Sequence, residues 1–173
     1  MLAPIVFAVA IFIAWKLWSP APAFVRGFAS LLDRPVEGRP PARFWLFGTN
    51  HTGGLFGGRD VILVLHQRRG RYDRGYAIVA MRLAGRAPGE LDAEALRERV
   101  AQSAARDAWD DLELRHELKL AFAEGAFKAT WMPVIGFMFP GRFDADKWRG
   151  ILQSMHAIVV ALEQRTAGAS ATA

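Results

Sequence analysis

Three groups of residues in this chain have types and spacings that could do chemistry. Asp110, Asp111 and Glu113 lie just before His116, the composition of a metal site or of a carboxylate-oriented imidazole in acid–base work. Gly48 to Gly58 (GTNHTGGLFGG) is dense in glycine, and glycines allow backbone N–H groups to converge on an anion. Arg68, Arg69, Arg71 and Arg74 crowd one stretch with Tyr72 and Asp73. Like charge at that density persists only where solvent or an anionic partner screens it.

Each group has a plainer reading. The glycine run lacks the Gly-Lys-Ser/Thr step into a helix; Gly57-Gly58-Arg59-Asp60 leads instead into an apolar stretch that reads as a strand, so a structural loop is favoured over a phosphate cradle. His116 falls within a long alternation of apolar and polar residues, and strand parity then sets it on the face opposite Asp111 and Glu113. That makes it a core or sheet-end histidine, with no metal and no cofactor expected. The chain has no cysteine, so thiolate catalysis and disulfides are excluded. With no GxSxG or HExxH pattern either, no catalytic residue is assigned and the expectation is a protein that is not an enzyme. For the arginine hairpin, anionic lipid headgroups are the favoured ligand, at about 1 kcal/mol per cation reaching the surface. Nucleic acid is disfavoured, because no aromatic stacking platform accompanies the arginines.

The elements that position these groups begin with an apolar N-terminus. Leu2 to Trp15 carries no charge, and Leu17 and Trp18 extend it past Lys16. As a helix this run spans roughly 25 Å, a little under the ~30 Å hydrocarbon core. The expectation is a single-pass transmembrane anchor over residues 1–18, with Lys16 reaching the headgroups and Trp15 and Trp18 at the interface. Lys16 lies at the C-terminal end of the span and Arg26, Arg34, Arg39 and Arg43 follow it, which puts the N-terminus outside and the domain in the cytoplasm. The alternative is a signal peptide cleaved near Ala21-Pro22-Ala23, leaving an exported domain. Prolines 20, 22, 35, 40 and 41 make residues 19–43 a juxtamembrane linker, in which Phe24 to Leu32 forms either a short interfacial helix or an irregular stretch on the domain.

Residues 44–165 form the globular part. Strands are expected over Phe44 to Phe47, Asp60 to His66 and Gly75 to Leu83, then a helix over Leu91 to Trp109. The alternation from Leu112 to Phe122 predicts one long half-buried strand, with a turn at Glu124-Gly125 and a return through Phe127, Ala129 and Trp131. A last helix starts at Asp144 and runs to about Arg165, presenting Trp148, Leu152, Met155, Val159 and Leu162 on one stripe. Residues 166–173 read as a disordered tail. The resulting fold class is α+β: an N-terminal transmembrane helix followed by a two-layer domain, an antiparallel sheet with about two helices on one face.

Trp131 to Pro140 (WMPVIGFMFP) has no charge and is broken by Pro133 and Gly136, so it must be hidden by the final helix, by a bilayer or by a partner. Trp131, Met132, Phe137, Met138 and Phe139 are residue types enriched in interface cores and form the candidate docking set. The single span and the missing catalytic motifs together favour a non-catalytic accessory or scaffold subunit of a membrane complex, its cytoplasmic domain capping or stabilising other membrane protein subunits. The alternative is a tethered binding module or enzyme for an anionic ligand, using the glycine loop and the arginine hairpin.

Overall fold

Apolar runs bounded by turn residues become strands, and the glycine-rich run becomes one as well. The computed structural model describes residues 20–35, 49–66, 76–84, 93–101, 103–132 and 143–170. In chain order these form α1 (Pro20–Ala29), β1 (Arg34–Pro35), β2 (Thr49–Phe56), β3 (Arg59–His66), β4 (Tyr76–Arg82), α2 (Ala93–Ala101) and α3 (Arg106–Asp110). A π turn (Asp111–Arg115), β5 (Lys119–Ala123), β6 (Ala126–Trp131) and α4 (Ala145–Ser170) complete the set. The strands make one antiparallel sheet in the order β1-β2-β3-β4-β6-β5.

The α+β class holds, but the N-terminal transmembrane helix of the expected fold is corrected. No helix among the described residues is long and apolar enough to cross a membrane. Residues 1–19, including Trp15, Lys16 and Trp18, lie outside the described residues. The first described helix, α1, is 10 residues long. It starts at Pro20, a residue expected to stop a helix rather than open one. The first N–H groups of a helix have no intrahelical acceptor, so a proline there forfeits nothing and its fixed φ suits the first turn. The longest helix, α4, carries Asp146, Lys147, Arg149 and Glu163 along its length and packs on the sheet instead.

Helix α1 sits on the core. Phe24, Val25 and Phe28 are at most 2% exposed, and the Phe24 and Phe28 rings meet Trp148 of α4 edge-on, with centroids 5.2 and 5.9 Å apart. From α4, Trp148, Ile151, Leu152, Met155, Ile158, Val159 and Leu162 are all buried, the spacing of one helical face. Val61, Leu63 and Leu65 of β3, Ala77, Val79 and Met81 of β4, and Leu120 and Phe122 of β5 join the same cluster with Phe127 and Ala129 of β6. Strand side chains alternate between faces. The helices therefore gather on one face of the sheet and bury every second residue of each central strand.

Two local expectations change. Gly48 to Gly58 is mostly a strand: β2 pairs with β3 from Thr49↔His66 to Phe56↔Arg59, so its backbone donors serve the ladder. Gly53 fits closely there, since a Cβ would stand 3.0 Å from the Val61 carbonyl oxygen. Gly57 and Gly58, at φ 56° and 76°, make the tight turn, whose two positive φ angles match the right-handed twist of a hairpin. The second change is the long helix expected over Leu91 to Trp109, which breaks into α2 and α3. The Ser103 hydroxyl donates to the Val100 carbonyl at 2.7 Å and accepts from the Ala105 N–H at 3.2 Å, competing with the helical bonds. Helix α4 also runs on to Ser170, into the stretch expected to fray.

Because Phe28 is fully buried, Phe28→Ala is expected to remove about 3–5 kcal/mol of stability in urea denaturation. A loss below about 1 kcal/mol, the size of a surface substitution, would show that α1 is not part of the core.

Candidate functional site

The sheet has a second face, and its makeup follows from register. Opposite Leu63 and Val79 on the pleat lie Ile62, Val64, Ile78 and Ala80, paired as Ile62↔Ala80 and Val64↔Ile78. Leu55 extends this apolar centre on β2. Moving across β6 to β5 the surface turns cationic: Lys128 follows Ala80, Lys119 follows Thr130, and Arg82 lies beside Ala126. At one end His66 and Tyr76 stack, with centroids 4.6 Å apart. None of the described helices contributes to the core from this side. Ile62, Val64 and Ile78 are half-buried by their neighbours, whereas Val61, Leu63 and Val79 on the other face are at most 1% exposed.

The sequence-derived residues divide between the two faces and the undescribed stretches. Trp131 pairs with Ala77, which points its side chain to the helix-covered face; its ring meets Trp148 edge-on at 6.1 Å and lies 5.7 Å beneath the Lys147 ammonium. Met132 follows it, half-buried. Phe137, Met138 and Phe139 lie outside the described residues, as do Arg68, Arg69, Arg71 and Arg74 of the arginine hairpin.

The carboxylate–histidine group is the largest departure from the sequence reading. Residues 111–115 are a π turn, not strand, and the His116 N–H donates to the Asp111 carbonyl at 3.1 Å. An i→i+5 turn carries residues four and five apart to the same side. Asp111 therefore has Arg115 Nη1 at 3.4 Å from Oδ1 and His116 Nε2 at 3.6 Å from Oδ2, where strand parity would have put His116 on the opposite face. The Ser154 hydroxyl, from α4, donates to Asp111 Oδ2 at 3.1 Å. Glu117 then leaves the turn at φ 54°, a left-handed conformation disfavoured by about 1–2 kcal/mol for a residue with a side chain. Among the described residues no group of three or more His, Cys, Asp or Glu side chains could hold a metal ion.

A separate clamp fastens the β2–β3 turn to α4. Arg59 pairs with Glu163, whose Oε1 accepts the Ala84 N–H at 2.6 Å. The Gly57 N–H donates to Asp33 Oδ2 at 2.7 Å, and the His156 ring lies 3.2 Å from the Gly57 carbonyl. Both His156 and Glu163 lie off the buried stripe of α4, and no periodicity in the sequence marks them.

Comparison with protein-family models, with curated proteins and with solved structures gives no match. The functional reading rests on the geometry.

Burial holds the His116 imidazole below its ordinary value; Asp111 opposes this, while Lys147 and Arg115 add to it. The folded state thus binds this proton less readily than the unfolded chain. The stability the neutral ring allows is complete above about pH 6.5 and falls as the pH drops through the folded value. The melting temperature of the protein is expected to decline between about pH 7 and about pH 5 more steeply than that of His116→Asn, which has no imidazole to charge. Identical slopes in calorimetry would show that His116 is not depressed.

Proposed function

We propose that this chain is a non-catalytic interaction subunit that docks a partner protein on the face of its sheet that no described helix covers. The observation that carries the reading is a mismatch between sequence and burial. β3 (RDVILVLH) and β4 (YAIVAMR) hold nearly continuous apolar runs, the composition of strands covered on both faces. The described helices bury one face alone. β5 gives the contrast, since KLAFA sets Leu120 and Phe122 inward and leaves Lys119 and Ala121 exposed. The demand for a second cover thus ends where the cations begin.

That gradient states the chemistry of the partner. An amphipathic helix with an apolar stripe and an acidic flank would lie over Leu55, Ile62, Val64 and Ile78 and bring its carboxylates to Lys128 and Lys119. Apolar burial supplies the affinity, while the charged edge sets orientation and on-rate. Lys128 already has an ion-pair partner in Glu124 at 2.6 Å, an exposed pair of small worth that a docked carboxylate can replace.

A photo-reactive side chain placed at Ile78 is expected to give one discrete protein adduct in cells, weakened about tenfold when Lys119 and Lys128 are both changed to Glu. The same group at Leu114, 70% exposed on the π turn, serves as the background. An Ile78 signal no higher than that background would overturn the reading. So would an adduct of lipid mass, which would give the face to a bilayer.

A further inference from the structure

The helix layer carries a concavity of its own, and none of the residues that line it belongs to a strand. His156, Val160 and Gln164 follow one another at four-residue steps on α4, so they share a helix face, with Ala157 and Ala161 beside them. The other wall is the turn at Ser103, whose hydroxyl bonds separate α2 from α3. The alanines of both walls reach no further than Cβ, so the walls do not meet. They leave a groove of about 470 Å³, within the roughly 300–1,000 Å³ of small-molecule sites. Eight residues line it and none is charged, although the chain carries 22 Lys and Arg. A protein interface takes about 20–30 residues a side, so the size of the groove suits a small molecule. Its neutrality suits an uncharged one.

We propose that this groove binds a small, uncharged, largely apolar molecule that donates one hydrogen bond to the His156 imidazole, as a phenol does. The ring is held from its other nitrogen. Its Nε2 lies 3.2 Å from the Gly57 carbonyl; a carbonyl only accepts, so Nε2 carries the proton and donates. In the neutral ring Nδ1 is then the acceptor, and among the described residues it has no hydrogen-bond partner. That nitrogen is left to the groove that the ring lines. Phe56 meets the same ring edge-on, with centroids 6.4 Å apart. Gly57 makes room for it, since a Cβ there would stand 2.7 Å from Nε2. These contacts orient the acceptor before any ligand arrives, which lowers the ordering cost of binding. The Ser103 hydroxyl does not compete for the ligand, because it donates to the Val100 carbonyl and accepts from the Ala105 N–H. Val160 and the alanines supply apolar wall, and Gln164, two helical turns on at about 12 Å, places an amide at the far end.

The test is a titration of the full-length protein with phenol at about pH 8, where imidazoles are ordinarily neutral, followed by NMR of the His156 ring nitrogens and the Val160 methyls. Both sets are expected to shift along one saturable curve. Anisole keeps the ring of phenol and loses the hydroxyl donor; it should leave the Nδ1 signal nearly in place and bind about fivefold more weakly. Ala157→Leu fills the groove from an exposed helix position and should abolish the phenol shift, with the helical circular dichroism unchanged. The anisole comparison uses the unaltered chain, so the test stands even where that substitution perturbs the helix. No saturable shift with phenol would overturn the proposal, as would an undiminished one in Ala157→Leu. A Val160 shift without movement of Nδ1, or equal movement of Nδ1 with anisole, would remove the hydrogen bond that defines the ligand. Val160 signals that change with protein concentration in the absence of phenol would give the groove to a second copy and overturn it as well.

Discussion

One stripe of the final helix holds this domain together. Trp148, Ile151, Leu152, Met155, Ile158, Val159 and Leu162 present a continuous buried surface against which α1, the π turn and the inner residues of β4 and β6 all pack. Removing any of these larger side chains leaves a cavity with no neighbour free to fill it. The same helix carries polar groups off that stripe. Glu163 and His156 fasten the β2–β3 turn, Ser154 holds the π turn, and Lys147 stands over Trp131. A single element thus sets the core, the hairpin clamp and the anchoring of the π turn.

The geometry of a sheet explains what the stripe leaves undone. Successive strand residues alternate between faces, so a layer of helices on one side can bury only half of each strand. β5 has adapted to this with Lys119 and Ala121 outward. β3 and β4 have not, because Ile62, Val64 and Ile78 occupy positions that a half-covered sheet would give to polar residues. On the proposed reading, the basic side chains of β5 and β6 limit how far an apolar partner spreads and give it an orientation.

Much of this was legible in the sequence. The runs 60–66 and 75–83, the Glu124-Gly125 turn and the final helix from Asp144 follow from apolar periodicity, turn residues and a capping aspartate, whose Oδ1 accepts the Lys147 N–H at 3.0 Å. Other features were hidden for physical reasons. Close approach of the Val61 carbonyl favours glycine at position 53 of β2, yet glycine otherwise signals a loop. Pro20 breaks a helix interior but is harmless in a first turn. Leu112, Leu118, Leu120 and Phe122 are all buried and keep an alternating spacing across a π turn, so the period of two concealed a helical segment. Leu114 gives the failure away: parity puts it inside, and it is 70% exposed. Ser154 meets Asp111 only through tertiary packing, which no local pattern reports.

The central claim is that the described helices bury one face of the sheet and that the other face, on the proposed reading, takes a partner. It is tested most directly by methyl NMR of the isolated protein with a soluble paramagnetic agent. The account predicts strong broadening of the Leu55, Ile62, Val64 and Ile78 methyls while those of Val61, Leu63 and Val79 stay sharp. Equal protection of both sets would mean that the chain covers its own sheet, and the uncovered face would not exist.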